Sequence, residues 1–482
     1  MLKKVLASVL AVLLLVSLLT ACGSSPPAQP ASTENPVESA VSTEKPLEPV
    51  SDPGPEPPVP DEEITITIGG WSPMDVAFEG IIPMFNEKYP NIKVVLPENI
   101  DSDAGPFMTN LQSSLVAGSG APDVCMIEEK YIGTYKDMGF LEDLLEPPYN
   151  AGKLQKDFVS YKWNAAIPTS GKGLMGLTWD SGPCGFFYNA VMFEQAGLPT
   201  EPEEVEAYLS TWDGFYDACE KIHALGDDKW LIASAADVFQ WLWLGRDYYV
   251  FDEAEGPVLN FDQKPRFDEF LENAMKIRNE KLDANRRLWV DDELYYYFDE
   301  QNVAAIAVGS WMGGFFKSWM AVSQEGNFRI CNLPLKLGYA NMGGSYLAIA
   351  SQSKNKEAAW AFIEFALATK EAQNKIFELT DIFPAYIPAW DDPLYDEPDP
   401  YFGGQLSRRY FATAAAKVVP PPFPCPMDDP VEWQIVSYFN DGMAEGLAKD
   451  DLAKFIKEGV LKEAQETTAH FIDTLKEFGI MK

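Results

Sequence analysis

The sequence predicts an α/β protein built as two lobes. Two observations carry this. About 420 of the 482 residues follow an apolar leader and a polar tether, and that is too many for one ordinary core. The body then opens with segments that alternate between strand and helix periodicity. The order β-α-β-α-β argues a lobe with a largely parallel sheet.

Ile64 to Ile68 alternates isoleucine with threonine and stops at Gly69 and Gly70, a strand signal. Val76 to Tyr89 has helical spacing, with Phe78, Ile81, Ile82 and Phe85 apolar, and ends before Pro90. Ile92 to Leu96 reads as a second strand, Phe107 to Ala117 as a helix, and Asp123 to Ile127 as a short apolar strand. From Gly176 to Phe187 the chain turns to glycine and aromatics. Phe193 to Leu225 and Phe267 to Lys281 are mostly helical, with an aromatic-rich helix expected over Asp237 to Tyr249. Ala304 to Val308, Phe328 to Leu333 and Tyr346 to Ala350 read as strands. One helix is expected over Lys354 to Leu379, with Ala358, Ala361, Phe362, Phe365 and Ala366 on one face. Leu452 to Phe478 is amphipathic, and no internal repeat is visible. In parallel sheets ligands bind beyond the carboxyl ends of strands. That puts Trp71, Ser72, Glu128 and Glu129 at the productive edge.

The N-terminus carries its own signal. Lys3 and Lys4 precede an apolar run from Val5 to Leu19, which ends at Thr20, Ala21 and Cys22. Small residues before a cleavage point mark a secretory leader. Ala21, Cys22 and Gly23 together resemble the lipobox of bacterial lipoproteins. The resemblance implies cleavage after residue 21, lipid on the Cys22 thiol, and residence at the outer face of the cell membrane. The alternative is an uncleaved anchor, since the run nearly reaches the roughly 18 residues a span needs. Residues 22–61 are rich in Pro, Ser, Thr and Glu. They offer little to bury and read as a disordered tether.

The formal charge is −36, and removing Lys3 and Lys4 with the leader takes it to −38. Such acidity argues against nucleic acid and anionic lipid as partners, and it repels a strongly anionic solute. A neutral solute is indifferent to it. Beyond Cys22 five cysteines remain, Cys125, Cys184, Cys219, Cys331 and Cys425. They are odd in number and show no C-x-x-C pair, so neither a disulfide framework nor a zinc site follows. Cys125 and Cys331 lie in apolar runs and read as buried thiols. Only His223 and His470 are present, which argues against histidine-based metal or triad chemistry. No G-x-S-x-G or H-E-x-x-H pattern occurs.

Several pieces together resemble a known family, the extracellular solute-binding proteins of ABC importers that serve mostly sugars. They are Gly118 to Val124 (Gly-Ser-Gly-Ala-Pro-Asp-Val) with Gly139 to Leu144, Phe187-Tyr188-Asn189 with Phe193 to Leu198, Ala307 to Trp311, and Gly343 to Ser345 with Ser353 to Phe362. The resemblance covers about Ile64 to Pro384 and is less typical in the C-terminal third. It implies a two-lobed periplasmic-binding-protein-like fold, each lobe a mainly parallel sheet flanked by helices, with a hinge between. Residues 62–178 and 320–385 would form lobe one, and 179–319 and 386–482 lobe two. It further implies a monomer that holds solute in the cleft and docks on permease subunits. No Walker A pattern occurs, so ATP hydrolysis would belong to a separate subunit. No cofactor or metal is expected.

Sugars need flat aromatic faces and charged or amide groups around the ring edge. The 13 tryptophans supply the first need. Trp311 ends a strand inside the best match, where similar proteins stack a ring. Trp71 follows the first strand, and Trp179 and Asp180 lie on the hinge-side loop. Gln240 and Trp241 are candidates from their helix, although two aromatics of that helix must face the core. Glu128 and Glu129, the Gly344–Ser345 turn and Arg408 complete the candidate set. Core packing, a solvated face, a tight turn and pairing with nearby acids are the respective alternatives. The acidic loop of Asp391, Asp392, Asp396, Glu397 and Asp399 fits no calcium-loop spacing. The rival readings are a cell-surface glycoside hydrolase or lyase, which would need two carboxylates at a set separation, and a sugar sensor.

Overall fold

The computed structural model describes residues 62–477, apart from 99, 101–103, 245–248, 253–255, 263–264 and 420–427. The leader, the tether with Cys22, and Cys425 lie outside the described residues.

The first lobe is organised by a five-stranded sheet in the order β2-β1-β3-β10-β4. These strands are β1 (Ile64–Gly69), β2 (Ile92–Val95), β3 (Val124–Glu128), β4 (Leu177–Thr178) and β10 (Ser345–Ile349). β1 runs parallel to β2 and β3, whereas β10 lies antiparallel to both β3 and β4. The alternation of β1 buries Ile66 and Ile68 and leaves the threonines outward. The helix Met74–Lys88 crosses back over the sheet and buries Ala77, Phe78, Ile81 and Phe85. Pro83 sits inside it on the exposed side, where the carbonyl left without its helical donor is not shut away from solvent. Phe362 packs edge-on against Phe78 at 5.4 Å and against Phe85 at 5.3 Å, tying this helix to the C-terminal side of the lobe.

The expected helix over Lys354 to Leu379 is two helices, Lys356–Ala368 and Lys370–Thr380. Thr369 is extended between them (φ −121°, ψ 138°), and its hydroxyl accepts the Ala372 N–H at 3.4 Å. The break is an N-cap hidden in a continuous apolar pattern.

The second lobe holds β8-β5-β9: β5 (Cys184–Asn189), β8 (Ala305–Gly309) and β9 (Phe328–Cys331). Both pairings are antiparallel, which corrects the expected mainly parallel sheet in this lobe. β5 carries the chain in from the first lobe at Cys184. Gly309 and Cys331, where β8 and β9 end, lie at that same end of the sheet. Strands that bring the chain in and take it out must run in opposite senses. β5 is buried along its whole length, with Phe187 packed against Phe316 and Phe402 on one face. Phe186 and Tyr188 join the other core, with Phe215, Phe239, Trp241, Phe270 and Phe439. The helix expected to reach Tyr249 ends at Trp243, and Tyr249 opens a two-stranded ribbon, β6 (Tyr249–Asp252) with β7 (Gly256–Leu259). In the C-terminal third, Ala389 to Val418 pack into the cluster that contains the first sheet, and Val431 to Ala464 into the second core.

Two connections, β4 to β5 and β9 to β10, link the sheets, and they hold each other. Met342 N–H donates to the Gly182 carbonyl at 2.8 Å, Gly182 N–H to Asn341 Oδ1 at 2.8 Å, and Cys184 N–H to the Ala340 carbonyl at 2.9 Å.

Candidate functional site

A cleft of about 1480 Å³ opens where the strands of both sheets end. Drug-sized pockets run to about 1,000 Å³. Trp71 enters the cleft after β1, Glu128 at the end of β3 and Glu129 after it, Ser345 at the start of β10, and Trp311 after β8. The edge that the strand order marked out is therefore the edge the cleft uses.

One wall is aromatic. Trp311 donates its Nε1–H to the Met342 carbonyl at 2.9 Å, which fixes the ring against the linked connections. Its centroid lies 5.9 Å from that of Trp289 and 5.5 Å from that of Phe315. Trp319 follows at 5.8 Å from Phe315, and Tyr295 lies 5.1 Å from Trp319. These five rings form a continuous surface. Trp289 and Trp319 are each 46 % exposed, so these two serve no packing need of the interior, whereas Tyr295, Trp311 and Phe315 also pack against the core. Trp289 also has φ 67°, a left-handed conformation costly for a bulky side chain. Strain of this kind gathers at ligand sites.

The floor is polar. Lys162, from the helix Ser160–Ala165, is wholly buried, and its ammonium donates to Glu129 Oε2 at 2.8 Å and to the Gly343 carbonyl at 3.3 Å. It also lies 4.4 Å from the Tyr346 ring centre. Asn341 Nδ2 donates to the same Glu129 oxygen at 2.8 Å. Gly343 and Gly344 turn with φ 82° and 106°, and a Cβ at Gly344 would lie 2.6 Å from Lys162 Nζ. The turn aims Ser345 N–H at Asp180 Oδ1, 2.6 Å away. Burial outweighs this bond and the Lys162 charge, and pushes the Asp180 carboxyl up to about 7. Trp179 is buried against Phe78 at 5.0 Å, and its Nε1–H has no hydrogen-bond partner among the described residues.

On the second-lobe side, Asp237, Gln240, Trp243 and Leu244 line the cleft from one stripe of their helix. Gln240 Nε2 donates to Glu432 Oε1 at 2.8 Å. Burial, with the charge of Asp283, pushes the Asp237 carboxyl up to about 7. Lys317 bridges Asp381 at 2.7 Å and Asp399 at 2.8 Å.

Of the candidates named from sequence, Trp71, Glu128, Glu129, Trp179, Asp180, Gln240, Trp311, Gly344 and Ser345 line the cleft. Trp241 and Arg408 are elsewhere. Trp241 is in the second core, edge-on to Phe215 at 5.7 Å, because one helical step turns it about 100° from Gln240. Arg408 lies over the Phe377 ring and within 3.6 Å of Glu397. The acidic loop is likewise committed to Arg409, Arg408, Lys317 and Lys370. Sequence reasoning missed Lys162, Arg287, Trp289, Tyr295, Phe315, Trp319, Asn341 and Trp433. The pair Trp289 and Trp319 was visible only as part of an excess of tryptophan.

Flat apolar rings sharing a cleft with carboxylate, amide and ammonium groups suit a solute with apolar ring faces and hydroxyl edges. Comparisons with known proteins agree with this geometry. Residues 71–373, well over half the chain, match the family described as bacterial extracellular solute-binding protein. An arabinooligosaccharide-binding protein of Bacillus subtilis strain 168 is 24 % identical over 332 residues, covering 67 % of this chain and 73 % of the relative. A lactose-binding protein of Rhizobium radiobacter is 24 % identical over 363 residues, covering 72 % and 81 %. Among solved structures, the ABC transporter associated binding protein from B. animalis subsp. lactis Bl-04, in complex with β-1,6-galactobiose, is similar with a TM-score of 0.68. It is 24 % identical and covers 84 % of this chain and 98 % of its own.

Proposed function

The chain belongs to the family of bacterial extracellular solute-binding proteins, and from that premise we propose that it captures a carbohydrate, a mono- or oligosaccharide, for an ABC importer. The observation that carries the reading is the five-ring wall of Trp289, Tyr295, Trp311, Phe315 and Trp319 in one cleft with the Glu129–Lys162–Asn341 cluster. A pyranose has apolar C–H faces and a hydroxyl rim, and stacking on a ring while bonding to fixed acceptors satisfies both. Relatives named for arabinooligosaccharide and lactose binding support the same class.

Solute that touches both lobes stabilises the closed form, and closure about the linked connections at Gly182 and Met342 sets the shape a permease recognises. The chain acts as a monomer, with the permease and its ATPase as separate subunits, and performs no chemistry on the solute. The leader-like N-terminus and Cys22 support residence on the extracytoplasmic face with a lipid tether. The test is a tryptophan-fluorescence titration of the full chain over a sugar panel, with chromatography of the recovered ligand. Saturable quenching with unaltered ligand is expected. Release of a cleaved product overturns the transport reading in favour of a surface enzyme.

A further inference from the structure

Arg287 sets a second demand on the solute. Arg287 lines the cleft and is half-buried. The other arginines among the described residues are committed. Arg278, Arg286, Arg408 and Arg409 each lie within ion-pair distance of a carboxylate. Arg329 donates to two carbonyls, and Arg266 lies over the Trp243 ring. Among the described residues the Arg287 guanidinium has no such partner. In a chain with 73 acids and 37 bases this cannot follow from a shortage of carboxylates.

The acids nearest in sequence are engaged elsewhere. Asp291 accepts the Arg287 backbone N–H at 2.7 Å, and Glu293 is taken by Arg286 at 2.9 Å. The loop is bent by left-handed residues at Asn285 (φ 53°) and Trp289 (φ 67°). It is pinned by Arg286 N–H to the Ala233 carbonyl at 3.0 Å. The strained loop therefore presents one exposed ring and, two residues before it, one uncommitted cation to the same cleft. Five of the six carboxyl groups lining the cleft have a partner: Glu128 in Lys130 at 3.4 Å, Glu129 in Lys162 and Asn341, Asp381 in Lys317, Glu432 in Gln240, and Asp180 in the Ser345 N–H. A half-desolvated guanidinium is satisfied best by an anion that binds both of its faces of donors at once.

We propose that the Arg287–Trp289 loop forms a subsite for an acidic sugar ring, so that the solute is an oligosaccharide carrying at least one uronate unit. Trp289 stacks the ring face and Arg287 takes the carboxylate. The inference rests on the carbohydrate reading of the cleft. The chain's overall acidity does not oppose it at contact distance, because exposed charges beyond about 8 Å are screened at physiological salt. That field slows the approach of an anion, and the contact pair sets the preference.

The test uses pairs of di- and trisaccharides that differ only in a C6 carboxylate or a C6 hydroxyl, titrated calorimetrically into the full chain. The acidic member is expected to bind about 10- to 100-fold more tightly, the range of a charge-assisted hydrogen bond. Arg287→Met, with its melting temperature checked, is expected to erase the difference within a pair. Equal affinity within every pair, or an equal loss for both members in R287M, overturns the uronate subsite and leaves the carbohydrate reading standing. If no member of any pair binds, the carbohydrate reading has failed and the subsite falls with it.

Discussion

Lys162 and Glu129 meet at 2.8 Å beneath the cleft, the lysine side chain wholly buried and the glutamate 23 % exposed. A buried ammonium is tolerated when its donors are filled, and here Glu129, the Gly343 carbonyl and the Tyr346 ring surround it. Its effect is to hold a carboxylate and a glycine turn at the cleft floor.

Lys162→Met removes that support at nearly constant volume. Because Glu129 retains Asn341 and some solvent, the loss should fall below that for a fully buried pair, about 2–3 kcal/mol by chemical denaturation. Solute affinity should fall as well. Adding Glu129→Gln removes the stranded charge and should recover part of the stability without recovering affinity. A K162M protein as stable as the parent would show that the pair does not hold the floor.

Trp289→Gly separates binding from folding. The left-handed φ of 67° costs a non-glycine residue about 1–2 kcal/mol, and glycine is freed of it. The entropy glycine loses on folding offsets about 0.5–1 kcal/mol of that gain. The melting temperature should therefore hold or rise slightly while affinity drops about tenfold or more with the stacking surface. Trp311→Ala should lower affinity with a larger cost in stability, because its indole also donates to Met342. If W289G melts well below the parent, Trp289 is a packing residue.

What was legible in the sequence follows from range. β1 alternates and β3, β8 and β10 are short apolar runs, each with a glycine or an acid at the end facing the cleft, so the cleft edge and Trp71, Glu129, Trp311 and Ser345 could be read locally. Trp241 and Gln240 are neighbours in sequence, and their fates diverge on helical phase, which an aromatic-rich stretch does not reveal. Arg408 is open in sequence to two readings, a hydroxyl-binding cation or a partner for nearby acids, and the structure puts it beside Glu397. Trp289 and Arg287 lie in an irregular loop whose use depends on two left-handed residues. The antiparallel sense of β8 and β9 depends on where the chain crosses between lobes, a property of no single segment.

Asp180 gives a pH dependence with a definite sign. Its carboxyl has an ordinary value of 3.8 and is pushed up to about 7 in the fold. Between those values the folded form keeps a proton that the unfolded chain has released. Its contribution to stability is therefore fully present below about pH 4 and declines as pH rises to about 7, by up to about 1.4 kcal/mol per unit. Asp180→Asn keeps an acceptor for the Ser345 N–H and cannot titrate. Urea unfolding at pH 4, 5, 6 and 7 should show the parent losing stability relative to D180N at each step. A constant difference would mean that Asp180 is ionised throughout. Asp237 titrates in the same direction, so D180N should reduce the slope without abolishing it.

Gly309 closes β8 where three features meet: the Met342 carbonyl, the Trp311 indole and the β5 edge at Cys184. A Cβ there would lie 2.5 Å from both Met342 O and Trp311 Nε1, inside the hydrogen bond that orients the ring. Neither neighbour is the free end of a flexible chain, since one is backbone and the other is part of a rigid indole. Gly309→Ala must therefore move the ring, and overpacking of this kind costs about 1–3 kcal/mol. Gly313 is the control, because a Cβ there meets only the Phe402 ring at an ordinary 3.5 Å. G309A should weaken sugar binding about tenfold or more and shift the tryptophan emission of the free protein, whereas G313A should leave both unchanged. If G309A binds like the parent, the orientation of Trp311 does not govern recognition, and the aromatic wall acts through Trp289 and Trp319.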